Sequence, residues 1–270
     1  MLLAIYRLML RYVPFIVGAA AGAVIMQKRK RMMGLERLSA ATLETLLDAI
    51  DANSPETGAH VRRVADYALR LAAAADLDEA SCKSIERVAL FHDIGKLDEA
   101  LSDIVKDTAT LTPRERRAIM THPRRGAQVL APLGAFYPDL PEGVLSHHER
   151  WDGTGYPRHL KGERIPIAAR VVAIADTFDA ITHSRSYSDG RSTADAAEVL
   201  ASGRATQFDP ELVDLFLSPP VLSDVKKSMT RFRKPKDSPS RRNRGDEMHK
   251  APDVSFRWRT TKLAPRRQDP

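Results

Sequence analysis

ALFHDIGKL, residues 89–97, sets the fold: an apolar run stops abruptly at His92 and Asp93, so an imidazole and a carboxylate leave a buried helix end together. Leaving even a neutral polar group unpaired in an apolar interior costs roughly 2 to 7 kcal/mol, and a carboxylate costs more, so the usual remedy is a cation. Asp176 poses the same problem in VVAIADTFDAI, residues 171–181, where no basic residue lies within a helical turn on either side. Working outward, His60, His92, His122, His147 and His148 all stand in short polar words set inside apolar stretches. Imidazoles and acids of this kind, separated by more than a hundred positions, are expected to converge on metal.

The surrounding pattern is helical. Leu35, Leu38, Leu43, Leu46, Leu47 and Ile50 recur near helical spacing over 34–50, which reads as a connecting helix. Thr112, Pro113 and Glu115 form a helix start with a capping box. Residues 167–181, after Pro166, are apolar nearly all round and read as a buried helix. No strand alternation and no repeat of fixed period stands out. The expected class is all-α.

Composition limits the rest. With 270 residues and 43% hydrophobic content the chain can bury a sizeable core. The net charge of +7 is uneven: residues 1–37 carry roughly +6, residues 221–270 roughly +9, and the middle roughly −8. Positive charge therefore sits on the ends rather than on the folded part, and specific nucleic-acid binding is not expected. The single cysteine, Cys82, excludes an intramolecular disulfide and a thiolate metal site.

Residues 12–26 (YVPFIVGAAAGAVIM) form an uncharged apolar run followed by QKRKR at 27–31. The expectation is a transmembrane anchor over 1–27 and a basic flank and linker helix over 28–50. The excess of Lys and Arg after the run places the downstream domain on the cytoplasmic side of the inner membrane, single-pass. A cleaved leader and a helix lying in the interface are the rival readings. The domain is expected over 51–218. Residues 219–270, rich in Pro, Ser, Arg and Lys, read as a disordered basic tail, either merely solvated or attracted to anionic lipid or an acidic partner.

The stretch HHERWDGTGYPRHLKGERIP, residues 147–166, sharpens the functional reading. Together with His60, the pair His92-Asp93, the distant Asp176, THP at 121–123 and QFDPELVDLF at 207–216, it closely resembles the HD-GYP group of the HD superfamily of metal-dependent phosphohydrolases. The resemblance runs from about Leu46 to Phe216. It implies an HD-type helical bundle that hydrolyses cyclic di-GMP to the linear dinucleotide pGpG and onward to GMP. It implies that His60, His92, Asp93 and Asp176 hold one metal, that Asp93 bridges, and that His122, His147 and His148 hold a second. Glu56, four residues before His60, matches a position that supports a third ion in some members; a helix N-terminal glutamate favoured by the macrodipole is the alternative. Imidazole with carboxylate suits iron or manganese. Two such ions activate a water and polarise the phosphate, so no side-chain nucleophile is needed.

By the same resemblance, Asp93 and Lys96 are the catalytic residues. Lys96, Gly155, Tyr156, Pro157 and Arg185 contact the substrate, and the Gly155-Tyr156-Pro157 loop is also a surface for a protein partner. Trp151 is read as packing. Asp179 is read as supporting a histidine or arginine rather than binding metal, and His183 and His159 as surface residues. The chain departs from the family at Ser184-Arg185-Ser186-Tyr187-Ser188, where Asp-Arg-Pro-Tyr followed by Arg or Lys is usual. One cation is thereby missing, with Arg191 a substitute, and another cyclic or linear nucleotide becomes an alternative substrate. A weakly catalytic receptor is the reading from a different class.

Overall fold

A computed structural model of the chain describes residues 2–97, 112–183 and 191–232, with side chains from residue 25 onward. Among the described residues the protein is all-helical. No strand forms, and a single isolated bridge joins Arg204 and Phe208.

Helix α1 runs from Leu2 to Asn53. Its last turns join the domain through Leu43, Leu47 and Ile50, all buried, whereas Leu35 and Leu38 remain exposed. Most of the apolar run at 12–26 lies where side chains are outside the described residues. No helix among the described residues is long and apolar enough to cross a membrane.

Helix α2 (Pro55–Ala74) starts where Ser54 accepts a hydrogen bond from the Thr57 backbone N–H at 3.1 Å, with Pro55 in the first turn. It runs through the centre of the domain and packs against α3 (Glu79–Phe91) and α7 (Ile167–Thr182). Between them lie α4 (Pro113–Ile119), α5 (His122–Leu130) and α6 (Asp139–Ser146). The capping box expected at Thr112 and Glu115 is present. Helices α8 (Thr193–Ser202) and α9 (Pro210–Leu217) complete the expected domain. Tyr67, Phe178 and Phe216 form its aromatic spine, with ring centroids 5.7 and 5.2 Å apart. All three are fully buried, and truncating one such ring typically costs about 3–5 kcal/mol.

Disorder was expected from residue 219, but Pro219–Phe232 is a helix, α10, that packs against α2 with Val221 and Val225 buried. The paired prolines open the helix rather than end it, because a proline in the first turn loses no intrahelical hydrogen bond. Residues 233–270, the rest of the expected tail, lie outside the described residues.

Candidate metal centre

Three helix ends and two helix interiors meet at one buried point. His92 is the C-cap of α3, His147 is the C-cap of α6, and His122 opens α5 directly after the end of α4. In each case Nδ1 hydrogen-bonds a carbonyl three residues earlier: Ala89 at 2.8 Å, Val144 at 2.6 Å and Ile119 at 2.7 Å. These are last-turn carbonyls that the helix itself leaves without a partner. Since a carbonyl can only accept, Nδ1 carries the proton and Nε2 is left as a lone pair aimed inward.

His60, from the second turn of α2, follows the same logic with a different acceptor. Its Nδ1 lies 2.7 Å from Oδ2 of Asp179, which is almost fully buried. The same carboxylate accepts Arg63 through Nε at 2.7 Å and Nη2 at 2.9 Å, and His183 Nδ1 lies 3.0 Å from it. Asp179 thus orients His60, and His183 is a half-buried partner of Asp179 rather than a surface residue. Burial pushes the Asp179 carboxyl up, but His183, His60 and Arg63 outweigh it and hold it far below the ordinary range.

The donors form two groups, His60 with His92 and Asp93, and His122 with His147 and His148. Asp93 stands between them. Its Oδ2 lies 3.5 Å from His92 Nε2, and its Oδ1 lies 3.3 Å from His122 Nε2 and 3.9 Å from His147 Nε2. Asp176 joins the first group, with Oδ1 3.3 Å from His60 Nε2 and 3.8 Å from His92 Nε2. Burial works to raise the Asp93 carboxyl, yet Lys96, His92 and His122 keep it well below its usual value.

These residues fit a metal on three counts. His60 Nε2, His92 Nε2 and Asp93 Oδ1 are buried without a hydrogen-bond partner, at a cost that a coordinated cation removes. His122 and His147 bring their Nε2 atoms to 3.1 Å although each has committed its proton to a carbonyl, so two lone pairs face one another. A shared proton is a poor answer there, since burial and the neighbouring imidazoles depress His147 strongly and burial, with His122, brings His148 down to about 3. His60 shows the converse: burial opposes its charge, but Asp176 and Asp179 raise it to about 9, so a proton and a metal compete for that lone pair.

The other expected residues are placed as follows. Lys96 lies on the short 3-10 turn Ile94–Leu97 with Nζ 2.7 Å from Asp93 Oδ2. Tyr156 stacks on His148 at 4.9 Å between ring centroids. Pro157 offers its carbonyl to Arg124 at 3.2 Å. Gly155 is required by space, because a Cβ there would lie 2.3 Å from the Arg150 backbone nitrogen. Trp151 has the Arg170 guanidinium over its ring at 5.8 Å. Glu56 is exposed in the first turn of α2 and belongs to neither donor group. Arg185 and Ser184 to Ser188 lie outside the described residues.

Sequence reasoning missed Glu149. Its carboxylate is buried and accepts the backbone N–H groups of Arg158 at 2.7 Å and Leu160 at 3.0 Å, folding the loop after Tyr156 over the histidines. The only available signal was an acid directly after two histidines.

A helical domain holding paired histidine and aspartate groups around one shared carboxylate defines the class. Residues 44–212 match the HD domain family, and the chain belongs to that family, in its HD-GYP group. A 3'3'-cGAMP-specific phosphodiesterase 2 of Vibrio cholerae is 37% identical over 188 residues, covering 69% of this chain and 36% of that protein. A cyclic di-GMP phosphodiesterase of the same organism is 37% identical over 177 residues, covering 60% of this chain and 36% of that protein. The chain thus spans little more than a third of the length of either. An HDGYP protein from Bdellovibrio bacteriovorus shares the fold, with a TM-score of 0.51, 21% identity, and coverage of 62% of this chain and 51% of that one.

Proposed function

We propose that this chain is a metal-dependent phosphodiesterase that opens cyclic di-GMP to pGpG and continues to GMP. The observation that carries the reading is Asp93, placed between two groups of donors, the second of which turns the imidazoles of His122 and His147 lone pair to lone pair at 3.1 Å. His60, His92, Asp93 and Asp176 would hold one ion, and Asp93, His122, His147 and His148 a second, with iron or manganese suited to the donors. Glu56 is the residue through which a third ion would be tested, four positions before His60 on α2. Such ions supply an activated water near neutral pH and positive charge for the phosphate oxygens.

The chain's own residues do the rest. Asp93 holds both groups at a fixed separation. Asp179 keeps the His60 ring turned inward by retaining its Nδ1 proton. Lys96 presents an ammonium where the 3′ oxygen leaves and can deliver a proton to it. Tyr156, lying flat on His148, covers that edge of the centre and offers a face to a guanine base. Hydrolysis of the hybrid 3'3'-cGAMP is the second reading, supported by a relative of equal identity that carries that name.

The apolar run at 12–26 and its basic flank support tethering at the inner membrane with the catalytic domain cytoplasmic. Release of the protein by an alkaline carbonate wash would overturn this part.

The test is anaerobic purification of the full chain, metal analysis, and product identification with cyclic di-GMP, 3'3'-cGAMP and pGpG. Turnover of cyclic di-GMP as the preferred substrate supports the reading. A metal-filled protein that binds the dinucleotide without cleaving it replaces the enzyme by a receptor.

A further inference from the structure

The domain is mildly acidic, yet the segment beside the second histidine group is strongly basic. Arg114, Arg116, Arg117, Arg124 and Arg125 stand on α4 and α5 against a single acid, Glu115. That glutamate is engaged in capping α4, accepting from the Thr112 N–H and hydroxyl at 2.7 Å each. Helix α4 buries none of its residues, and its three arginines are exposed.

Arg124 is the member tied to the centre. It is exposed, lies two residues after His122, and donates from Nη2 to the Pro157 carbonyl at 3.2 Å. Pro157 follows Tyr156, whose ring covers His148. The guanidinium therefore spans the seam between the turn that supplies one metal donor and the loop that shields another. A guanidinium carries five N–H donors in a planar fork, and one carbonyl occupies only one of them. The free edge matches two oxygens of a phosphate. A cyclic dinucleotide has two phosphodiesters, and only one can sit at the metal ions during a given cleavage.

We propose that Arg124 is a substrate-binding residue that grips the phosphodiester not undergoing cleavage, with the α4 arginines drawing the dianion toward it. The proposal rests on the phosphodiesterase reading given above.

The experiment uses the metal-loaded full chain and the variants Arg124→Gln, Arg124→Lys and, as a control on an exposed arginine paired with Asp214, Arg204→Gln. Glutamine keeps an amide N–H for the Pro157 carbonyl and removes the charge, which separates a phosphate grip from a loop tether. For Arg124→Gln, KM for cyclic di-GMP should rise about tenfold with kcat within about twofold, as expected for one lost charge-assisted hydrogen bond. Calorimetric Kd should rise in parallel, and the decline of kcat/KM with salt should become shallower. Arg124→Lys should fall between, and Arg204→Gln should match the wild type. An Arg124→Gln enzyme with wild-type KM, Kd and salt dependence overturns the proposal, as does an equal loss in Arg204→Gln. If the wild type binds cyclic di-GMP without cleaving it, the phosphodiesterase reading falls while Kd still tests Arg124. If it binds no dinucleotide, both fall.

Discussion

A Cβ on Gly95 would lie 2.1 Å from the backbone carbonyl oxygen of His122. The HDIGK turn and the start of α5 therefore meet backbone to backbone, and the glycine sets how closely Asp93 approaches the second histidine group. Gly95→Ala should cost about 2–3 kcal/mol by overpacking and pull the two groups apart. Urea unfolding measures the first effect. Metal content, falling toward a single ion, measures the second.

Asp93→Asn preserves volume but removes the charge shared by both groups. Metal stoichiometry should drop at both positions and activity should fall to background, with circular dichroism unchanged. His148→Ala touches only one group and should lose about one ion. Equal metal content in wild type and Asp93→Asn would remove Asp93 from its position as the shared ligand.

Asp179→Asn leaves Arg63 buried beside a neutral amide and lets the His60 ring turn. Losing one side of a buried ion pair costs about 3–5 kcal/mol. Removing the carboxylate that orients a metal-binding histidine weakens metal affinity roughly 10–100-fold. Chemical denaturation and competitive chelator titration report these separately.

Glu149→Gln keeps one acceptor oxygen for two backbone donors, so one of the Arg158 and Leu160 N–H groups loses its partner. The expected cost is about 1–3 kcal/mol, concentrated in the loop. Faster hydrogen exchange at 158–160 and a raised KM, with metal content intact, are the expected readouts.

Removing residues 233–270 should leave thermal stability unchanged, whereas removing 219–270 strips α10 from α2 and exposes Val221 and Val225 positions on the core. Burying two valines is worth about 3–6 kcal/mol. Melting curves of the two truncations, run side by side, decide whether the domain ends near 218 or near 232.

Much of this was legible because metal donors are conspicuous in apolar surroundings. His60, His92, Asp93, His122, His147, His148 and Asp176 stood out as polar groups in apolar stretches, the HD-GYP resemblance sorted them into two ligand sets, and the structure brings those seven together. The Thr112 capping box and the buried α7 were legible because their signals are local. Glu149 and Arg63 were not, since one closes a loop onto itself and the other crosses 116 positions to reach Asp179. Helix α10 was hidden by composition: its buried face is Val221, Val225 and Ser228, with Leu222 and Met229 partly buried, among lysines and serines.

The imidazoles of His92, His122 and His147 are each pinned by the carbonyl one turn behind, so their direction is decided by where a helix stops. Each residue of an α-helix advances the side-chain direction by about 100°. Lengthening α3, α4 or α6 by one residue would swing its histidine away from the others even with every interhelical packing distance kept. Punctuation, more than packing, is what makes three separate helices converge on one point, and an insertion just before any of these stops should be far more damaging than one in the loop that follows.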